Sequence, residues 1–268
     1  MKKYLLILLT LSLVLLIGCD SNSENETETG QIIIRAFDAP FQGNVEHIFL
    51  NIVEVSVHKS VSETESDTLG EWIVLSDTDT TIDFLELVNG EMATLVQTDL
   101  EEGHYSQQRL LLGDSSTIVV DGNTYDLKVP SSSQSGVKCN LGFSISPDEI
   151  VEFYLDFDAE RSIHQYANND RYILQPTFRV FKSQLSGTIV GTVTDTSGTG
   201  IRNISVYAVA GDDSITTLTG ESGEYMLILL AGTYDISARG YDLYADTTYQ
   251  AVQLNAEEHL TDFDFIMK

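Results

Sequence analysis

Asp156 and Asp158 are the acidic residues whose spacing comes nearest to chemistry. They end a run in which Val151, Phe153, Leu155 and Phe157 alternate with Glu152, Tyr154, Asp156 and Asp158, the period-two pattern of a half-buried strand. On a regular strand both carboxylates project from one face, about 7 Å apart. Such a pair either shares a hard cation or repels itself and raises one pKa. Asp38, in the segment FDAP, offers a third oxygen. Calcium takes about six to eight oxygens, and three acids fall short of that. The competing structural explanation is that these acids cap turns or pair with Arg35, Arg109 or Arg161. Asp38, Asp156, Asp158 and Arg109 therefore form the candidate metal or polar cluster, with an arginine preferred over calcium as the compensating charge.

Other chemistry-bearing residues point to less. Asp77, Asp79 and Asp83 are spaced like part of a calcium loop, but the turn glycine of an EF-hand is missing, so a solvated hairpin loop is expected. The histidines at 47, 58, 104, 164 and 259 never fall at metal-ligand spacing. Hydrolase elbows, zinc-protease motifs, phosphate loops and dinucleotide glycine patterns are absent. Trp72 and the tyrosines can supply sugar-stacking faces, although core packing accounts for most such rings. Tyr241, Tyr244 and Tyr249 are the candidate exposed aromatics. No catalytic residue is assigned, and no cofactor beyond a calcium alternative is expected.

The elements that position these residues lie behind an export leader. Lys2 and Lys3 precede an apolar stretch from Tyr4 to Ile17, which is too short for a spanning helix of about 20 residues. Leu16-Ile17-Gly18-Cys19 resembles the bacterial lipobox. That resemblance implies cleavage between Gly18 and Cys19 and lipidation of the Cys19 thiol, with enough acyl chains for stable attachment. The next residues, 20–30 (DSNSENETETG), carry four acids and no large apolar side chain, as expected of a flexible tether. An acidic segment in this place resembles the surface-export signal of Bacteroidetes lipoproteins, whereas an Asp directly after the cysteine resembles an inner-membrane retention signal of enteric bacteria. A cell-envelope location follows, with the outer membrane or cell surface favoured over the inner membrane. With Cys19 lipidated, Cys139 has no disulfide partner and is expected to be a quiet, buried thiol.

The formal net charge of −27 argues against nucleic acid and against anionic headgroups, both of which call for basic patches. High solubility is the simplest consequence. Strand signals dominate, so the fold class is all-β: two sandwiches in series behind the leader and tether. Tyr125, Leu127 and Val129 alternate with polar residues after a hairpin turn at Asp121-Gly122-Asn123. Between Val45 and His58 the apolar phase switches from Ile48, Leu50 and Ile52 to Val53, Val55 and Val57, which predicts a long strand bulged near Ile52. Short helical turns are expected near 82–87 and 161–167. After Ser183 to Ser186 the strands become short and evenly punctuated by glycine. The expected organisation is a leader over 1–18, the lipidated cysteine and tether over 19–29, one sandwich over 30–184 and a second over 185–268.

The second segment carries GTIVGTVTD (187–195), GTGIRNISV (198–206), TGESGEY (219–225), LAGTYDI (230–236) and Gly240-Tyr241. Together these resemble the carboxypeptidase regulatory-like domain. The resemblance implies a seven-stranded prealbumin-like sandwich of the carbohydrate-binding-like class, without peptidase activity. Within it Gly223 and Gly232 are expected at positive φ, with Tyr225, Leu227, Tyr234 and Ile236 facing inward. The first segment carries FDAP (37–40), WIVL (72–75), DFLEL (83–87), GHY (103–105) with Arg109-Leu110, LKVPS (127–131), DFDA (156–159) with Ser162, and LQP (174–176). In that order they resemble the domain of unknown function family 4382, found in bacterial lipoproteins, a family that brings no activity with it.

The reading that follows is a non-catalytic envelope or surface lipoprotein serving as a binding or adhesion display module. It is held to the membrane by its lipid, with glycans or a protein as partners. The alternatives are an accessory structural subunit of an envelope or uptake complex and a metal-dependent enzyme built on Asp156 and Asp158.

Overall fold

The computed structural model describes residues 28–38, 41, 44–61, 70–130, 136–166, 171–240 and 245–268. The leader, Gly18, Cys19 and most of the tether lie outside these residues. Thr29, assigned from sequence to the end of the tether, instead opens the first strand, β1 (Thr29–Asp38). A Cβ on Gly30 would come within 2.6 Å of the Glu149 carbonyl and closer still to that of Ser146, so this glycine admits the chain to a packed site.

The first sandwich has a four-stranded sheet in the order β14 (Phe178–Lys182), β11 (Ile150–Phe157), β1 and β5 (Ala93–Glu101). Its partner is a ten-stranded sheet built around β2 (Val45–Lys59), a 15-residue strand. The first half of β2 pairs with β4 (Thr80–Asp83) and β7 (Thr117–Val120), and the second half with β3 (Glu71–Ser76) and β6 (Gly103–Leu112). The pairing with β6 shifts register between Ile52 and Glu54. The bulge expected from the apolar phase switch is therefore present, and it keeps Ile48, Leu50, Val55 and Val57 all in the core. The hairpin between β7 and β8 (Asn123–Lys128) turns through Asp121 and Gly122, with φ of 50° and 72°, the backbone of a primed turn. A 3-10 turn at Phe84–Glu86 meets the expectation near 82–87. Near 161–167 the helix comes earlier than expected, as the four-residue α1 (Ala159–Ser162), and the chain then runs into a short strand, β12 (Ile163–Gln165).

The second sandwich places β15 (Ser186–Thr194) beside β18 (Glu224–Leu230), against a sheet in the order β17 (Asp213–Leu218), β16 (Ser205–Ala210), β19 (Gly232–Arg239), β20 (Thr247–Leu254). Two short parallel pieces, β21 (His259–Leu260) and β22 (Phe265–Ile266), pair with successive stretches of β15. They act as one interrupted strand, which reconciles two four-stranded sheets with the seven strands implied by the resemblance. Tyr225, Leu227, Tyr234 and Ile236 are buried as expected, and Gly223 has φ 82°. Gly232 does not adopt positive φ. A Cβ there would lie 3.1 Å from the Tyr234 ring, so close packing rather than backbone handedness selects glycine at this position.

Each sandwich has its own hydrophobic core, drawn from residues 32–174 and 189–267 respectively. A third buried cluster joins them: Phe37 and Phe181 of the first sandwich close on Ile228 of the second, flanked by Met92, Tyr154 and Met226.

Candidate functional site

The outward face of the β14–β11–β1–β5 sheet is where the sequence placed its carboxylates, and the second sandwich covers part of that face. Asp156 therefore lies buried, at 2% exposure, instead of facing solvent. Its cross-strand partner is Arg179 on β14, whose Nη2 donates to Asp156 Oδ2 at 2.5 Å. The compensating charge is an arginine, but not one of the three singled out from sequence. Asp156 Oδ1, Arg179 Nε and, on the second sandwich, Thr217 Oγ1 are buried without a hydrogen-bond partner. Burial pushes the Asp156 carboxyl up to about 6, the nearby Asp158 adds to the rise, and Arg179 opposes it. A cleft of about 340 Å³ opens beside the pair, walled by Phe181, Ile215, Ile228 and Tyr234.

Asp158 does not share a strand face with Asp156. Strand β11 stops at Phe157, and Asp158 caps α1, its Oδ1 accepting from the Arg161 backbone N–H at 3.0 Å and its Oδ2 lying 3.5 Å from the Arg161 guanidinium. Capping fixes both oxygens on local partners, which is why the expected two-carboxylate face does not form. Arg109 is not part of this cluster either. It donates to Glu54 at 2.7 Å and to Ser56 at 3.1 Å, and its guanidinium lies 4.3 Å over the Trp72 ring. With the Lys138 ammonium at 5.5 Å as well, Trp72 serves as a seat for cations and does not offer an open sugar-stacking face. The backbone of Asp38 pairs with Phe157, but its side chain lies outside the described residues, as do Tyr241 and Tyr244. Tyr249 is 38% exposed, yet its hydroxyl donates to the Asp264 carbonyl and its ring packs edge-on against Phe263 and Phe265. Burial raises the Cys139 thiol to about 11, so it is a poor nucleophile at neutral pH.

Residues 29–176 match the Domain of unknown function (DUF4382), more than half of the chain. The chain belongs to the DUF4382 family. Residues 188–268 match the carboxypeptidase regulatory-like domain, so the two follow one another in the order their motifs indicate. No match was found among curated proteins. Among solved structures, the chain is similar to the shaft pilin SpaA of Lactobacillus rhamnosus GG at 11% identity and TM-score 0.25, covering 90% of this chain and 98% of that one. It is similar to a streptococcal ancillary pilin at 12% identity and TM-score 0.25, covering 88% and 68%. The Bacillus anthracis TIE protein aligns at 11% identity and TM-score 0.26 over 89% of this chain. This chain spans only 34% of the TIE protein and 26% of a Bacteroides thetaiotaomicron leucine-rich repeat protein that it also resembles. At such TM-scores the likeness carries no functional argument.

The DUF4382 domain also assembles a group that spacing did not reveal. His47 Nδ1 and Asp83 Oδ2 lie 2.5 Å apart, and donor atoms of His47, Asp83 and Glu86 all fall within 4.8 Å of one another. Asp83 belongs to the segment read from sequence as a hairpin loop or imperfect calcium loop, but it ends β4 and caps the 3-10 turn. Asp79, from the same segment, accepts a hydrogen bond from the Asn51 side chain. The only local signal was the Asp83–Glu86 spacing of three. His47 lies 36 residues from Asp83, and only the β2–β4 pairing brings the two together.

Proposed function

We propose that this protein is a non-catalytic module of the cell envelope, anchored through a lipidated Cys19 and displayed at the outer surface for binding or adhesion. The observation that carries this reading is the joint between its sandwiches. Strand β14 passes through one 3-10 turn, Ser183–Leu185, directly into β15. The second sandwich then locks that turn, with the Ala231 N–H donating to the Leu185 carbonyl at 2.9 Å and the Ser186 hydroxyl to the Ser183 carbonyl at 2.7 Å. The Phe37–Phe181–Ile228 cluster and the Asp156–Arg179 pair lie under the same joint. Two domains held in this way suit a spacer that carries a binding face away from a membrane, because a rigid joint limits the ordering cost on binding. The carboxylates first suggested as a metal-dependent catalytic pair are committed to Arg179 and to a helix cap, which speaks against the enzyme alternative. Glycans and a protein receptor remain the ligand classes in view.

Metabolic labelling with a palmitate analogue, combined with protease shaving of intact cells, tests the proposal. The wild-type chain should take up label, fractionate with membranes and lose its sandwiches to external protease, while Cys19→Ala abolishes the label and the membrane fractionation. Equal labelling and fractionation of the two proteins would overturn the anchor, and full protection from protease would overturn the surface location.

A further inference from the structure

We infer that His47, Asp83 and Glu86 form a binding site for a divalent first-row transition ion of the zinc type, on the solvent-facing rim of the first sandwich.

The three residues supply one imidazole nitrogen and two carboxylates, with donor atoms already within 4.8 Å of one another. Zinc-to-ligand bonds are about 2.0–2.2 Å for nitrogen and oxygen. Ligands on one ion therefore stand about 3–3.5 Å apart in a tetrahedron. His47 Nδ1 and Asp83 Oδ2 are closer than that, at 2.5 Å, so the ion takes the place of the proton between them and parts the two atoms. The fold holds two of the ligands in place. Asp83 Oδ1 accepts from the Ile48 and Leu85 backbone N–H groups at 3.1 and 3.2 Å, which leaves Oδ2 directed at His47. This is the outer-shell support that orients ligating carboxylates in metal sites. The His47 ring is stacked on Phe49 at 5.3 Å and 16°, and it follows a register shift between Val45 and His47 in the β2–β7 pairing, a device that re-aims side chains. Glu86 follows Asp83 by three residues through a 3-10 turn, where positions three apart eclipse.

The surroundings favour a cation. Among the described residues, Asp83 forms no ion pair with Lys or Arg and Glu86 forms no ion pair at all, and Glu46 adds a further negative charge near His47. His47 is 43% exposed at its side chain and Asp83 10%, so one flank is open to water that can complete the coordination sphere. An imidazole with two carboxylates suits zinc and its neighbours better than calcium, which takes oxygen ligands in larger number.

The full-length protein in detergent should be titrated with Zn²⁺ by calorimetry and with Co²⁺ by visible absorption. We expect saturable binding of a single ion per chain, a cobalt spectrum with nitrogen and oxygen ligation, and no displacement by excess Ca²⁺. His47→Ala and Glu86→Gln should each weaken binding by about tenfold or more, with the far-ultraviolet spectrum unchanged. Glu86 is exposed, so its variant remains informative if the His47 variant loses stability. Absence of saturable binding, equal affinity in both variants, or displacement of zinc by calcium would each overturn the assignment. The titration is independent of the lipid anchor, so its outcome and that of the surface-display proposal are read separately.

Discussion

Asp156 shows how burial reverses the ordinary behaviour of a carboxylate. Its partner Arg179, at 2.5 Å, favours the charged form, but desolvation outweighs that attraction and holds the group at about 6 against a usual 3.8. The folded protein thus keeps a proton on Asp156 that the unfolded chain releases between those two values. The stability contributed by this proton is complete below about pH 4 and is lost as pH rises through about 6. The melting temperature of the wild type minus that of Asp156→Asn should therefore fall across this window and level off above about pH 7. A thermal-denaturation series in matched buffers measures this. A difference that grows with pH would show the arginine, not burial, to be in control.

At the scale of elements, β2 is the strand on which the first sandwich depends, since β3, β4, β6 and β7 all pair with it. Its extra residue lets two apolar stretches of opposite phase face one core. Deleting Val53 would remove the bulge and leave Ile48, Leu50, Ile52, Val55 and Val57 in one unbroken alternation, all still on the core face. The cost is then confined to the strand pairing around Ile52 and Glu54. The deletion variant should keep a cooperative thermal transition by circular dichroism, with a lowered melting temperature. Loss of cooperative melting would mean that the local twist supplied by the bulge is needed to close the sandwich.

At the scale of the whole molecule, the joint depends on Ile228, which is 8% exposed and alternates with the core residues Leu227 and Leu229 on β18. It points away from its own core and into the cluster formed with Phe37 and Phe181. The first sandwich also approaches closely at Gly90, where φ is 89° and a Cβ would lie 2.6 Å from Met226 Sδ. Ile228→Glu places an unpaired charge in this contact at a cost of several kcal/mol, while leaving both sandwich cores intact. Small-angle scattering should then report a larger radius of gyration, and proteolysis should quicken around residues 183–185, with the β-type circular dichroism retained. Unchanged scattering and cleavage would mean that the backbone connection alone holds the two sandwiches.

The features that the sequence determined by itself are those governed by local period and turn chemistry. The alternation over Val151 to Phe157, the phase switch in β2, the primed turn at Asp121 and Gly122 and the order of the two family segments were all legible, because each depends on residues within a strand or two of one another. Cys139 belongs with them, half-buried and raised in pKa on the short strand β9 (Val137–Cys139). Tertiary structure decided the rest. A period of two separates the faces of a strand but does not say whether a distant domain covers the polar one, so the sequence placed Asp156 on the polar side of a half-buried strand, and the second sandwich buried it fully. Its partner Arg179, 23 residues away, was set by the β11–β14 register, which no local pattern encodes. His47, Asp83 and Glu86 came together for the same reason: strand pairing, not spacing, brings a histidine beside a turn cap 36 residues further on.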